Sequence, residues 1–221
     1  MCSHYNLKAN SQDIEEKFRA EFEAEIAAEI SMYANGFAHP KMPVITNEEP
    51  GKIKLFHWGL IPYWVKNTTQ AKEIANMCIM AKIETIEEKP AFRESFKHKR
   101  CIIPATSFFE WKWLDAKGKN KEKYEIGIQN HELFAFGGLW SNWTNNETGE
   151  IIETFSIVTA EANELMAEIH NTKKRMPLIL QPSQVNEWLN VPGNVHHLSD
   201  ITQQQILEAT LISENNQNTL F

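Results

Sequence analysis

Cysteine is scarce in this 221-residue chain, which has three: Cys2, Cys78 and Cys101. They make neither an even set nor a CxxC pair. That excludes a disulfide scaffold and a cysteine-based zinc site, and it points to a reducing cytoplasm as the setting. No stretch approaches the roughly 18 consecutive apolar residues of a membrane span, so no membrane partner is expected. The start, Met1-Cys2-Ser3-His4-Tyr5-Asn6, has neither a basic region nor an apolar run, and no secretory signal is expected. Internal repeats and long linkers are also missing. His196-His197 is a pair without further ligand spacing, so no metal site is read there. An excess of positive charge is lacking as well: the formal net charge is −7, which on its face argues against a nucleic-acid partner.

The distribution of charge changes that conclusion. Residues 11–30 hold seven acids and two bases, whereas residues 89–123 hold ten Lys or Arg against four Asp or Glu, a local net of +6. Local charge sets the field at a binding face, so a basic segment survives in an acidic chain. The lysines of residues 117–123 read as a solvated hairpin loop. With 42% hydrophobic and 23% charged residues, the composition is that of a soluble globular protein, and the length suits a single domain spanning 1–221.

Hydrophobic spacing outlines the elements. Ile14, Phe18, Phe22, Ile26 and Ile30 recur every four residues and predict one amphipathic helix over 11–30, capped by Asn10 or Ser11 and ended before Asn35-Gly36. His39-Pro40-Lys41-Met42-Pro43 predicts a loop of fixed φ. Strands are expected over 53–58, within 101–113 and over 151–159. Pro90 opens a short helix carrying Phe92 and Phe96. Alternating Tyr124, Ile126 and Ile128, followed by Leu133 to Phe136, predict a hairpin. A helix is expected over 161–170, and Ser183 and Ser199 each open another. The core is expected to end near residue 190, with a C-terminal helix beyond it and a frayed tail from Glu214 to Phe221. Strands in the middle with irregular flanking helices make an α+β domain with a mostly antiparallel, barrel-like sheet.

Several residues could carry chemistry. If Met1 is removed, Cys2 presents an α-amine and a thiol on adjacent carbons, with ordinary pKa values of about 8 and about 8.5. The thiolate could attack an acyl group with the amine as base, or the amine could form a Schiff base that the thiol closes to a thiazolidine. The plain alternative is a small residue near a terminus. Glu110, between Phe109 and Trp111, is either a buried acid–base group or a strand residue facing water. His170 closes a helix and is either a functional base or a partner for the helix dipole. Lys173, Lys174 and Arg175 form either a phosphate clamp or a solvated turn. Trp58-Gly59-Leu60-Ile61-Pro62-Tyr63-Trp64 is a stiff aromatic loop, either core or a platform for stacking bases.

Taken together and in order, these pieces resemble the SRAP family, the SOS-response-associated peptidases of abasic-site processing. The resemblance covers Cys2 to about Leu189. It is carried by the Met-Cys start, Trp58 to Trp64, Glu84 to Arg93 (ETIEEKPAFR), Arg100 to Pro104 (RCIIP), Phe108 to Trp111 (FFEW), Gly137 to Trp140 (GGLW), His170, and Arg175 to Pro177 (RMP). The resemblance implies an enzyme that recognises an abasic site in single-stranded DNA, and a cytoplasmic monomer is expected. The N-terminal Cys2 captures the ring-opened sugar aldehyde as a thiazolidine, with self-removal of the preceding residue as the associated peptidase activity. It implies Glu110 as proton donor for ring opening, His170 as an aid to Schiff-base chemistry, and no metal or organic cofactor. Arg175 and Lys82 are expected at phosphate, and Pro40, Trp58, Trp64 and Trp111 along the DNA channel. The family's usual Asn-Ala-Arg is here Met80-Ala81-Lys82, its Asp-Gly is Thr106-Ser107, and its Met-Cys-Gly-Arg is Met1-Cys2-Ser3-His4. Two alternatives stand beside this one: an N-terminal-cysteine hydrolase acting on a peptide or amide, and a non-catalytic binder of single-stranded nucleic acid.

Overall fold

A computed structural model describes residues 3–23, 29–129, 132–190 and 195–212. Its strands are β1 (His4–Asn10), β2 (Glu21–Phe22), β3 (Glu29–Asn35), β4 (Lys41–Thr46), β5 (Lys52–Trp58), β6 (Met80–Lys82), β7 (Arg100–Ala105), β8 (Ser107–Trp113), β9 (Lys121–Ile128), β10 (Phe134–Thr144), β11 (Ile151–Glu161), β12 (Arg175–Pro177), β13 (Ile179–Leu180) and β14 (Leu207–Ile212). The α-helices are α1 (Ser11–Phe18), α2 (Thr68–Met77), α3 (Arg93–His98), α4 (Glu164–Ile169), α5 (Pro182–Asn190) and α6 (His197–Gln203).

Two sheets form the frame. The first is antiparallel throughout, in the order β14-β9-β8-β1-β3. In the second, β11, β10, β7, β4 and β5 pair in sequence, and β5 returns to β11 through a parallel pairing of His57 with Thr154 and Trp58 with Phe155. That contact closes the five strands into a ring, the barrel expected of this α+β chain. The short strands β2, β6, β12 and β13 extend it. One apolar cluster runs through both sheets, from Tyr5, Leu7 and Phe108 to Phe136, Ile103 and Phe155. Strand β11 is the spine: β10 and then β12 pair along its length, as do β5 and then β6.

Three local expectations are corrected. The helix over 11–30 stops at Phe18, because Arg19 turns left-handed (φ 53°) and its N–H closes on Glu15 O. Phe22 then joins β2, and residues 29–35 pair with β1; residues 24–28 lie outside the described residues. A spacing of four fits one face of a strand as well as one face of a helix, so it did not discriminate. The hairpin joins β8 to β9 through the loop after Trp113, not β9 to β10: Glu110 lies opposite Tyr124, and β10 pairs with β7, β11 and β13. The lysine-rich loop is the connection of that hairpin, although Lys121 and Lys123 belong to β9 itself. The stretch after His39-Pro40 becomes β4 from Lys41 onward. Beyond residue 190 the chain adds α6 and then β14, an edge strand on β9; the expected tail from Glu214 to Phe221 lies outside the described residues.

Candidate active site

Strand β8 positions Glu110. Alternation turns Phe108, Glu110 and Lys112 to one face and Phe109, Trp111 and Trp113 to the other. Glu110 is therefore carried inward, 1% exposed, which settles the choice between buried acid and solvated strand residue. Strand β1 lies alongside, with His4 opposite Phe109, the residue before Glu110. Cys2 itself lies outside the described residues.

His170 reaches the same place from the other side. Asn163 caps α4 by accepting from Met166 N, and the helix runs out at His170, whose N–H closes on Met166 O at 2.8 Å. Lys174, left-handed at φ 49°, folds the turn back so that its N–H donates to His170 O at 2.9 Å. The imidazole is 3% exposed. Its Nδ1 lies 3.0 Å from Arg175 O, 3.2 Å from Arg175 N and 4.0 Å from Glu110 Oε1. The Arg175 backbone thus engages His170 through Nδ1 on both its N–H and its carbonyl. Burial pushes the His170 imidazole below its ordinary 6.5, and the Glu110 carboxylate opposes that shift. Asn171 ties this turn to the end of β8, since its Oδ1 accepts from Trp113 N and its Nδ2 donates to Trp113 O.

Arg175 differs from its expected role as a phosphate holder. It is buried, and its guanidinium forks onto Glu84 at 2.7 and 2.8 Å, with a third bond from Nη2 to Thr159 O at 2.7 Å. A planar fork already filled by a carboxylate has no second fork for phosphate. Burial would raise the Glu84 carboxyl, but its bonds from Arg175 outweigh that and hold it below the ordinary carboxylate value. Glu84 stands in the Glu-Thr pair of the sequence motif, so its position was marked there, but its partner was not.

Trp58 is also corrected. It is fully buried, donates from Nε1 to Ile79 O at 2.9 Å and stacks on Phe155, so no base can reach its ring. The loop that follows presents Tyr63 and Trp64 instead, Trp64 being 40% exposed. Gly59 makes the turn possible: its φ is +124°, and a Cβ there would lie 2.5 Å from His39 Nδ1. Half-buried Pro40 sits on the same turn, its carbonyl accepting from Trp58 N, while His39 Nδ1 lies 2.6 Å from Trp58 O and Nε2 lies 3.1 Å from Asn76 Oδ1. Asn76 is thereby engaged at His39, away from the position-80 amide that the family pattern would have. Met80 is half-buried on β6 opposite Ile157 of β11, and Lys82 is exposed opposite Thr159.

The structure thus brings Glu110 and His170 together, with Arg175 bound to the His170 turn. Trp111 lies on the other face of β8, and Pro40 and Trp64 belong to the Gly59 turn. His4 was marked in the sequence only as standing where the family has Arg, with no role given to it. It stacks edge-on against Trp111 at 4.9 Å, and its Nδ1 lies 3.0 Å from Ser3 Oγ. Burial, reinforced by the Lys123 ammonium, holds it below 6.5 against the pull of Glu110. Among the described residues, no group of three or more His, Cys, Asp or Glu gathers as a metal site, and no helix is long and apolar enough to cross a membrane.

Comparison with known proteins adds to this geometry. "Abasic site processing protein YoqW" of Bacillus subtilis is 38% identical over 196 residues, which is 86% of this chain and 80% of that protein. "Abasic site processing protein HMCES" of Xenopus tropicalis is 27% identical over 193 residues, covering 76% of this chain and 55% of that protein. A crystal structure of a protein from Bacteroides thetaiotaomicron superposes with a TM-score of 0.85 at 33% identity, covering 97% of this chain and 93% of the other. The family model for SOS response associated peptidase (SRAP) matches residues 1–218, from before β1 to beyond β14. A barrel and sheet that meet at Glu110 and His170, in a chain matched by that model almost end to end, make this protein a member of the SRAP family.

Proposed function

We propose that this protein processes abasic sites in single-stranded DNA by forming a covalent adduct through Cys2, acting as a cytoplasmic monomer after removing its own Met1. The observation that carries the reading is the buried pair Glu110 and His170, 4.0 Å apart, at the end of the strand into which the N-terminal residues lead. Its relatives named for abasic site processing support the same substrate.

The chemistry follows from an aldehyde meeting a 1,2-aminothiol. Glu110 gives a proton to the sugar ring oxygen, the C1′–O4′ bond breaks, and the C1′ hydroxyl proton returns to Glu110, leaving the C1′ aldehyde. The Cys2 amine adds to C1′, and the carbonyl oxygen leaves as water. The Cys2 thiol then adds to the resulting imine carbon. One C–N and one C–S bond form, and the water carries one hydrogen from the amine and one from the thiol. His170, whose imidazole burial pushes below its ordinary 6.5, moves the proton between these steps. Exposed Lys82 contacts phosphate, and Pro40, Trp64 and Trp111 line the path of the strand. Arg175 acts through its bond to Glu84 and its backbone contact to His170, as a positioning residue.

The test is incubation with a single-stranded oligonucleotide carrying one abasic site, read on a denaturing gel, with intact mass reporting loss of Met1. A heat-stable adduct is expected from the wild type and none from Cys2→Ala, while Cys2→Ser leaves at most a borohydride-reducible Schiff base. A stable adduct from Cys2→Ala at the wild-type level would overturn the reading.

A further inference from the structure

The outward face of the β8–β9 hairpin holds Trp111, proposed above to line the path of the strand, and around it the face carries a regular pattern. Cross-strand register sets Trp113 opposite Lys121 and Trp111 opposite Lys123. Residues directly opposite share a face, so these four side chains form two rungs on the side away from Glu110. The Lys121 ammonium lies 4.9 Å from the Trp113 ring centroid. That of Lys123 lies 4.4 Å from Phe109, 5.6 Å from Tyr33 and 5.7 Å from Trp111. Among the described residues neither lysine has an ion-pair partner. Glu125, the acid next along the row, is engaged instead by Asn6 at 3.1 Å and Ser107 at 2.6 Å. Tyr33 completes the patch. It is 54% exposed, a large ring left in solvent beside a cation and edge-on to Phe109.

We infer that this face is a binding subsite for the DNA strand flanking the reaction centre, with Lys121 and Lys123 contacting successive phosphates and Tyr33 stacking on a base. The inference rests on the reading that the protein acts on single-stranded DNA. Two lysines two residues apart on one strand stand about 6.8 Å from each other, on the scale of one nucleotide step in an extended chain. The rings beneath them hold the lysine stems in place by cation–π contact, which reduces the freedom lost when phosphate binds. A row of cations beside an open aromatic ring is the combination that binds single strands without reading sequence. The position ties the subsite to the site described above, because His4 contacts both Trp111 and Tyr33.

The experiment measures binding of an undamaged single-stranded oligonucleotide by fluorescence anisotropy across a salt series, so it does not depend on adduct formation. Lys121→Gln with Lys123→Gln keeps stems over the rings and removes both charges. The slope of log K against log salt should become shallower by about 1.4, because each phosphate contact on a single strand contributes about 0.7. Lys121→Arg with Lys123→Arg should keep the wild-type slope. Tyr33→Ala should weaken binding by about fivefold to a hundredfold. The charge-matched control is Lys17→Gln with Lys52→Gln, two lysines already paired with Glu132 and Glu49. A wild-type slope in the Lys121/Lys123 glutamine variant, or an equal change in the control, would overturn the subsite. A changed slope in a protein that forms no adduct with abasic DNA would uphold the subsite and reject the covalent chemistry.

Discussion

Replacing Glu84 by Gln tests whether Arg175 is held as the structure shows it. The substitution keeps the shape and one acceptor oxygen but removes the charge that faces a buried guanidinium. In the wild type two charge-assisted bonds, 2.7 and 2.8 Å long, join the pair, and Thr159 O receives a third. Arg175 Nε is buried without a partner, so the guanidinium has little alternative solvation. Truncating one member of a fully buried pair costs about 3–5 kcal/mol. The Glu84 side chain is 39% exposed, however, and water screens that half of the interaction. The expected loss is therefore about 1–2 kcal/mol, which for a chain of this size lowers the melting temperature by about 2–8 °C. The pH dependence separates charge from packing. The folded Glu84 carboxyl lies below its ordinary value of 4.5, so the unfolded state binds the proton more readily. The stabilisation is then present above 4.5 and disappears as pH falls through the folded value. Thermal melts of wild type and Glu84→Gln should differ at pH 7 and converge toward pH 3. Equal melting temperatures at pH 7, or a gap that persists undiminished at low pH, would refute the argument.

Three further outcomes are expected. Met80→Asn with Lys82→Arg should speed adduct formation in single-turnover assays by a few-fold to about tenfold, since one added neutral hydrogen bond contributes about 0.5–1.5 kcal/mol and 1.36 kcal/mol is a decade; an unchanged or lower rate would show that these positions do not limit the reaction. The His170 imidazole should titrate below 6.5 by NMR, and because the unfolded state takes up that proton first, stability should rise as pH increases toward and through 6.5; a midpoint above 6.5 would contradict its burial beside Glu110. Cys78, pushed by burial to about 12, and Cys101, pushed well above its ordinary value, should resist iodoacetamide in the native protein at pH 8 and react only after unfolding, as peptide mass spectrometry would show.

The elements visible in the sequence were those whose signal is local. Residues 53–58 sit in β5, Leu165, Met166 and Ile169 lie in α4, which starts only at Glu164 because Glu161 still belongs to β11, and Ser183 and Ser199 lie in the first turns of α5 and α6. Glu110 and His170 could be picked out because their neighbours limit what they can be, an acid among aromatics and a histidine at a helix end. What local pattern could not show was partnership. The left-handed Arg19 that ends α1, the pairing of β9 with β8 and β14, and the fork from Arg175 to Glu84, 91 residues away, are decided by tertiary contact. Trp58 was ambiguous for the same reason. An aromatic beside Gly and Pro serves a core or a surface equally well until Ile79 O is seen to accept its indole N–H.

The parallel seam between β5 and β11 bears on when the protein becomes competent. It joins His57 to Thr154 and Trp58 to Phe155, residues nearly a hundred positions apart. Closing so long a loop costs more entropy than closing the local hairpins, so the ring should be sealed late in folding. On a ribosome, β1 and β8 emerge and can pair well before β11, α4 and the turn holding His170 have been made. A nascent chain can therefore expose its amino terminus and Glu110 while still lacking His170 and the Glu84–Arg175 clamp. On the proposed chemistry, the Cys2 amine and thiol would then be on display before the residues that direct them are in place. Under that proposal, chain order separates possession of the nucleophile from its control, and completion of one strand and the turn after it joins the two.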